Sequence, residues 1–110
     1  MGYKTRINGK VYDVRTSSLI CMCKFITRHE NNTFSVEEIF LFEKKNGEYF
    51  TALDNPEVFN SSYYYFTPRT KEWASEFIAN ARGHYLMYDR GAKSYTWVID
   101  DGRFDKKYER

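Results

Sequence analysis

Few side chains in this sequence are spaced for chemistry, and the two cysteines are the closest pair. Cys21 and Cys23 are separated by one residue, so on a strand they point to the same face with a Cα separation near the upper limit for a disulfide. A zinc site would need more ligands than this pair and a remote histidine supply. We expect both to be reduced thiols within an apolar strand.

The histidines and carboxylates are also poorly placed for catalysis. His29 and His84 fall in or beside predicted turns, with no Cys, Ser or Asp at motif spacing, so solvated turn histidines are expected. Glu37 and Glu38 are consecutive and would face opposite sides of a strand. The glycines are isolated, with no phosphate-binding loop. We therefore predict no enzyme, no metal and no cofactor; a triad assembled from distant segments stays open.

Size and composition predict one folded domain. The chain has 110 residues, of which 42% are hydrophobic and 19% aromatic, enough to form a modest core. We assign residues 1–99 to the folded core and residues 100–110 to a frayed tail of mixed charge. No apolar run approaches the roughly 20 residues of a membrane-spanning helix, and the N-terminus does not resemble a signal peptide. We expect a cytoplasmic protein without membrane contact.

Charge is segregated along the chain although the formal net charge is only +2. Residues 1–29 hold six basic side chains against one acidic, whereas residues 30–58 hold seven acidic against two basic. Antiparallel strands would let these segments neutralise each other across a sheet. The alternative is a separate basic patch and acidic patch that select a partner.

Three hairpins are predicted from turn residues between β-prone runs. Asn46-Gly47 lies within the strongest of them, residues 36–51, and Asn8-Gly9 marks a smaller one, each read as a two-residue turn. Residues 84–89 and 94–99 flank a third turn. Residues 19–27 form a nearly continuous apolar run, for which the hairpin neighbours favour a strand covered on both faces; a helix is the alternative.

One helix is predicted over residues 67–83, with Thr67 or Thr70 as its N-cap and Gly83 as its C-terminal stop. Its apolar stripe is expected to pack as core. The stripe consists of Trp73, Ala74, Phe77, Ile78 and Ala81. The predicted fold class is α+β: a mainly antiparallel sheet of five to seven hairpin-linked strands with one helix packed on one face.

Tyrosines interleaved with basic residues are the candidate partner-binding residues. They are Tyr63, Tyr64, Tyr65, Arg82, His84, Tyr85, Tyr88, Arg90, Lys93 and Tyr95. Tyrosine provides large contact area on protein-binding surfaces, and tyrosine beside arginine or lysine also stacks the bases of single-stranded nucleic acid. The third interpretation is a tyrosine-rich core and rim with no site. The chain is expected to be a monomer or a homodimer.

Three segments resemble a group of small proteins carried on phages and mobile elements of low-GC bacteria. They are residues 7–14, 37–50 and 70–74, which share the pattern GKxYD, EExLYxKKNGEYF and TxEWA in outline. The resemblance implies a mobile-element accessory protein that acts by stoichiometric binding, for example by inhibiting a bacterial defence effector as anti-CRISPR proteins do. The chain departs from this pattern at residues 50–54 and in its C-terminal hairpin. Partner contacts are therefore expected on the loops around residues 54–62 and on the hairpin after Gly83.

Overall fold

The computed structural model of the chain describes residues 4–54 and 64–105. These residues form eight strands, one α-helix and a short 3-10 turn at Val14–Thr16. The strands are β1 (Lys4–Ile7), β2 (Lys10–Asp13), β3 (Ser18–Arg28), β4 (Phe34–Glu43), β5 (Tyr49–Asp54), β6 (Tyr64–Arg69), β7 (His84–Asp89) and β8 (Ser94–Ile99), and the helix is α1 (Lys71–Ala81). Within the described ranges, no helix has the length and apolarity to cross a membrane.

The strands form two sheets. β3 to β8 make a six-stranded sheet in the order β6-β5-β4-β3-β7-β8, and β1 pairs only with β2 among the described strands. Every pair is antiparallel except β3 with β7, which is parallel because α1 carries the chain across the sheet from β6 to β7. The predicted α+β fold with a mainly antiparallel sheet is confirmed, and the larger sheet is mixed.

The two Asn-Gly turns differ. Asn8 and Gly9 both have positive φ (51° and 80°), which gives the predicted two-residue turn between β1 and β2. In the central hairpin only Gly47 is left-handed (φ 89°), and its N–H donates to the Lys44 carbonyl at 2.9 Å. The loop therefore has three residues, 45–47. A two-residue turn would shift the pairing of the two strands by one residue, and the buried Phe50 would then face the other side of the sheet.

Helix α1 begins after the second of its two predicted N-cap residues. Thr70 is the N-cap, its hydroxyl accepting from the Trp73 N–H at 3.1 Å, whereas residues 67–69 still belong to β6. Gly83 follows the helix with φ 91°. Ala74, Phe77 and Ala81 are buried, but Ile78 is 46% exposed because it lies at the margin of the stripe. The buried stripe is therefore narrower than the sequence suggested.

The apolar run at residues 19–27 belongs to a strand, β3, but its first half is not covered on both faces. Leu19, Ile20 and Met22 are 51%, 38% and 41% exposed. β7 pairs only with the last four residues of β3, so β4 is the only described strand beside the first half of β3. The pairing with β4 also shifts between Leu19 and Cys21, which marks a bulge at Ile20.

Apolar clusters lie on both faces of the larger sheet. On the helix-bearing face, α1 packs over Phe25, Ile39 and Leu41. On the opposite face, the β1–β2 hairpin docks through Tyr12 onto Phe42, Phe50 and Ala52. Hairpin and sheet are also joined by the Lys10–Glu48 ion pair (2.7 Å). Hydrogen bonds from Lys10 and Lys44 lower the pKa of Glu48 to about 2.

A second cluster on the opposite face includes Phe104, which lies in the predicted tail. Phe104 is 9% exposed and packs edge-on against Tyr85, with 5.3 Å between ring centroids. Lys24 on β3 forms ion pairs with Asp100 and Asp105. Residues 100–105 are thus part of the fold and not a frayed tail, because one buried ring and a shared ammonium hold them. Residues 106–110 lie outside the described residues.

Basic side chains of the first segment pair both with the acidic segment and with the C-terminal third of the chain. Lys10–Glu48 joins them, whereas Arg28 reaches Asp89 (3.6 Å) and Lys24 reaches Asp100, both in the C-terminal third. Two basic side chains of β3 thus pair outside the acidic segment.

Candidate functional site

A small cavity opens beside α1 on the helix-bearing face, and we call it the aromatic cavity. It is lined by Trp73, Glu76, Phe77, Leu86, Tyr95 and Trp97. Its volume is about 140 Å³. Sites for drug-sized molecules are typically about 300–1,000 Å³, so this cavity is the size of a side chain.

The helix and the last hairpin each supply half of the lining. Trp73, Glu76 and Phe77 are spaced by three and four residues, so they share one side of α1. Leu86 and Trp97 are directly opposed on β7 and β8. Tyr95 lies two residues from Trp97 and so faces the same side of the sheet.

The rings of the aromatic cavity hold one another in place. Trp73 stacks on Phe77 at 5.3 Å between centroids, and Phe77 meets Trp97 edge-on at 5.6 Å. The guanidinium of Arg69 lies 3.9 Å from the Trp73 ring centroid and donates to the Thr51 hydroxyl at 2.9 Å. A cavity built from rings that already contact each other needs little ordering when a ligand enters.

The lining of the aromatic cavity is apolar except for one acidic residue. Glu76 is exposed on α1 at the cavity, and the other five lining residues are aromatic or aliphatic. Burial lowers the pKa of the Arg69 guanidinium, whereas the charge interaction with the phenol of Tyr95 raises it. The phenol is therefore within electrostatic range of the guanidinium. The mainly aromatic lining suits the cavity to binding a side chain.

Most of the predicted partner-binding residues lie on the surface, but not in one patch. Tyr88 and Tyr95 are cross-strand partners whose rings are 4.7 Å apart, and Tyr95 is 58% exposed at the aromatic cavity. Tyr65 on β6 is 59% exposed. Tyr63 lies outside the described residues, as does the side chain of Tyr64.

The predicted basic residues are placed away from the aromatic cavity's lining. Arg90 and Lys93 are exposed in the β7–β8 turn, and Arg82 is exposed at the end of α1. His84 is half-buried, with Nδ1 3.1 Å from the Asn80 carbonyl, so this nitrogen donates to that oxygen.

Tyr85 does not belong to the surface. It is 2% exposed and packs against Phe104 on the face opposite the helix. The alternation of β7 sends Tyr85 to one face while Leu86 and Tyr88 reach the helix side. Its assignment to partner binding is corrected: it is a core residue.

His29 forms the arrangement closest to a catalytic pair. Its Nε2 lies 2.6 Å from the Ser35 hydroxyl, and Arg90 donates to Nδ1 at 3.4 Å. Because Nδ1 accepts from a cation, Nε2 carries the proton and donates to Ser35. A histidine that activates a serine has the opposite arrangement. Its Nε2 carries no proton and accepts from the serine hydroxyl, while its Nδ1–H donates to a carboxylate. This pair is arranged to hold the β3–β4 loop.

The thiols carry little thiolate at neutral pH. Burial raises the pKa of Cys23 to about 12 and raises the pKa of Cys21. Both are free, and Cys23 is buried, in agreement with the predicted reduced thiols. Within the described part of the chain, no group of three or more His, Cys, Asp or Glu side chains could hold a metal ion.

Of the six residues that line the aromatic cavity, only Tyr95 is among the partner-binding residues predicted from the sequence. Trp73 and Phe77 belong to the apolar stripe of the helix, whose spacing predicts burial. The available signal was that Tyr95 and Trp97 alternate along the predicted strand and so present two large rings on the same side of the sheet. Comparison of the chain with protein-family models, curated proteins and solved structures found no match.

Proposed function

We propose that this chain is a non-enzymatic accessory protein of a phage or mobile element that binds and inhibits a bacterial defence effector, as anti-CRISPR proteins do. The observation that supports binding is the aromatic cavity. Its preformed rings can seat one anchor side chain of a partner, and such anchors, buried in well-packed pockets, dominate the affinity of protein interfaces. The nature of the partner rests on the resemblance.

The preferred anchor is a long cationic side chain from the partner. The rings of Trp97 and Tyr95 offer negative π-faces to a cation, and Glu76 adds a carboxylate at the same cavity. A lysine or arginine can place its aliphatic stem against Leu86 and Phe77 while its charge reaches Glu76. A CRISPR effector meets this requirement, because its nucleic-acid-binding surfaces are rich in such residues.

Charge reversal on α1 tests this proposal. Glu76→Lys places a like charge where the partner's cation would bind, and Glu72→Lys makes the same change one turn earlier, outside the cavity. Both residues are exposed, so both variants should fold. We expect Glu76→Lys to weaken partner binding by at least about tenfold, and Glu72→Lys to change it by less than about threefold.

The measurement has two parts. Tagged wild-type protein is used to recover partners from a bacterial lysate for mass spectrometry, and the recovered effector is then titrated by calorimetry. We expect a stoichiometric endpoint and loss of effector activity. Recovery of no defence or nucleic-acid-processing protein contradicts the proposed partner, and equal affinities of the two variants contradict the proposed site.

The second candidate function is binding of single-stranded nucleic acid. The observation in its favour is Arg69, whose guanidinium stacks on Trp73 within electrostatic range of Tyr95. Glu76 opposes it, because a carboxylate in the same cavity repels phosphate. A salt titration with a single-stranded oligonucleotide separates the two functions. Phosphate contacts require affinity to fall steeply as salt rises, and Glu76→Lys should then strengthen binding.

A further inference from the structure

Strand β8 is an unprotected edge of the larger sheet. It has no described neighbour on its outer side, and its sequence, Ser94–Ile99, contains no charged residue and no proline. Natural edges usually carry a charge, a proline or a bulge that prevents further pairing. The opposite edge, β6, has Pro68 and Arg69, and the open start of β3 has its bulge at Ile20. β8 has none of these features.

The apolar side chains of β8 are exposed where a further strand would cover them. Ile99 is 72% exposed and Tyr95 is 58% exposed. Both lie on the helix-bearing face, as does Trp97 between them. After β8 the chain turns away, and Phe104 packs onto the opposite face, so residues 100–105 leave this edge open.

The hydrogen bonds of β8 define which backbone groups face outward. The Asp100 N–H donates to the Gly83 carbonyl at 2.9 Å, so Asp100 faces β7. Alternation along an antiparallel strand then directs the groups of Thr96 and Val98 toward β7 as well. The N–H and C=O groups of Tyr95, Trp97 and Ile99 point out from the sheet.

We propose that β8 pairs with β8 of a second copy of this chain, antiparallel about a two-fold axis at Trp97. In this register the outward groups meet outward groups, with the pairs Tyr95 with Ile99, Trp97 with Trp97, and Ile99 with Tyr95. Each pair then closes with two N–H···O bonds. The exposed side chains of Tyr95 and Ile99 then form aromatic–aliphatic cross-strand pairs.

Charge complementarity selects the same register. Lys93, which precedes β8 with φ 56°, lies opposite Asp101 of the second copy at each end of the pairing. Asp101 is 61% exposed, and its ion-pair contact with Arg103 is long at 3.8 Å. Sliding the strands by two residues would bring Lys93 opposite Ile99 or Arg103 and lose both pairs. The proposed register is therefore the one in which hydrogen bonding and charge agree.

This dimer would place two aromatic cavities on one side of a continuous sheet. A two-fold axis perpendicular to the sheet leaves both helix-bearing faces on the same side, and Tyr95 contributes both to the cavity and to the pairing. Two linked sites give avidity for a partner that presents two anchors. The dimer itself does not depend on the proposed function.

Sedimentation equilibrium over a concentration series tests the dimer through charge reversal. Lys93→Glu and Asp101→Lys each oppose like charges at both ends, so each should raise the dimer dissociation constant at least about tenfold. The double variant Lys93→Glu/Asp101→Lys restores the pairs and should return to within about threefold of the wild type. Failure of the double variant to recover, or a wild-type monomer at every concentration, overturns the proposal.

A backbone test is independent of charge. Ile99→Pro removes an outward N–H without breaking a bond to β7, whereas the control Ile99→Thr keeps that N–H. We expect monomers for the proline variant and dimers for the threonine variant. In amide exchange, protection at Tyr95, Trp97 and Ile99 should rise with concentration, while Thr96 and Val98 stay protected throughout. Concentration-independent exchange at all five positions also overturns the proposal.

Discussion

Replacing Phe50 by alanine lowers the free energy of unfolding by about 3–5 kcal/mol, the usual cost of removing a fully buried phenylalanine. Phe50 is 0% exposed and contacts three rings. It meets Tyr12 edge-on at 5.3 Å, stacks on Phe42 at 5.3 Å and lies 5.7 Å from Phe66. Domains are usually stable by only about 5–15 kcal/mol, so this loss is a large part of the total.

The position of Phe50 explains why the Phe50→Ala substitution should also affect the docking of the β1–β2 hairpin. Tyr12 is the buried residue by which the β1–β2 hairpin docks, and its ring contacts Phe50 directly. Without that ring the hairpin loses its apolar support, although the Lys44 ammonium 4.2 Å from the Tyr12 ring centroid remains. We therefore expect a smaller denaturant m-value in addition to the lower stability, because an undocked hairpin exposes less new surface on unfolding.

Urea unfolding followed by circular dichroism measures both quantities. Tyr65→Ala is the matched control, since it removes an aromatic ring on the neighbouring strand β6 that is 59% exposed. The control should cost less than about 1 kcal/mol. Equal losses for the two variants would contradict the assignment of Phe50 to the core.

Local signals in the sequence were sufficient to predict the hairpins. Asn8-Gly9 and the run around Gly47 carry turn chemistry within a few residues, and the alternation of their strands fixes which side chains are buried. The exact loop at Gly47 was missed because its register depends on burying Leu41 and Phe50 from both strands. A turn dipeptide alone does not contain that information.

Long-range packing was the part that the sequence did not reveal. Phe104 follows a polar, charged segment, and only the fold brings Tyr85 and Phe34 next to it. The aromatic cavity likewise depends on where α1 crosses the sheet, since that crossing leaves Tyr95 open while it covers Phe77. Both features arise from contacts between distant segments, which periodicity and turn residues do not encode.

Lys24 is the second position at which one substitution should have a large effect. Its ammonium is 3.0 Å from Asp100 and also bonds Asp105, with only 20% of the lysine side chain exposed. Lys24→Met keeps the aliphatic stem but leaves two neighbouring carboxylates without their shared cation. Breaking a fully buried pair costs about 3–5 kcal/mol, and the 52% exposure of Asp105 reduces this to about 1–3 kcal/mol at neutral pH.

The loss should depend on pH in a defined direction. Burial acts to raise the pKa of Asp100, but the Gly102 N–H and Lys24 outweigh it and lower the pKa below 3.8. Burial acts to lower the pKa of Lys24, but hydrogen bonds to Asp105 and Asp100 raise it above 10.5. The contribution of Asp100 is thus lost as the pH falls through its folded pKa, and that of Lys24 as the pH rises through its own.

The difference in stability between wild type and Lys24→Met should therefore be greatest near neutral pH and shrink toward both extremes. Urea unfolding from pH 3 to pH 11 measures it, with Lys45→Met as the control for removal of an exposed lysine from the β4–β5 turn. The control should stay within about 0.5 kcal/mol of the wild type. A Lys24→Met loss that is the same at every pH would mean that packing of the stem, and not the shared ammonium, holds residues 100–105 against the sheet.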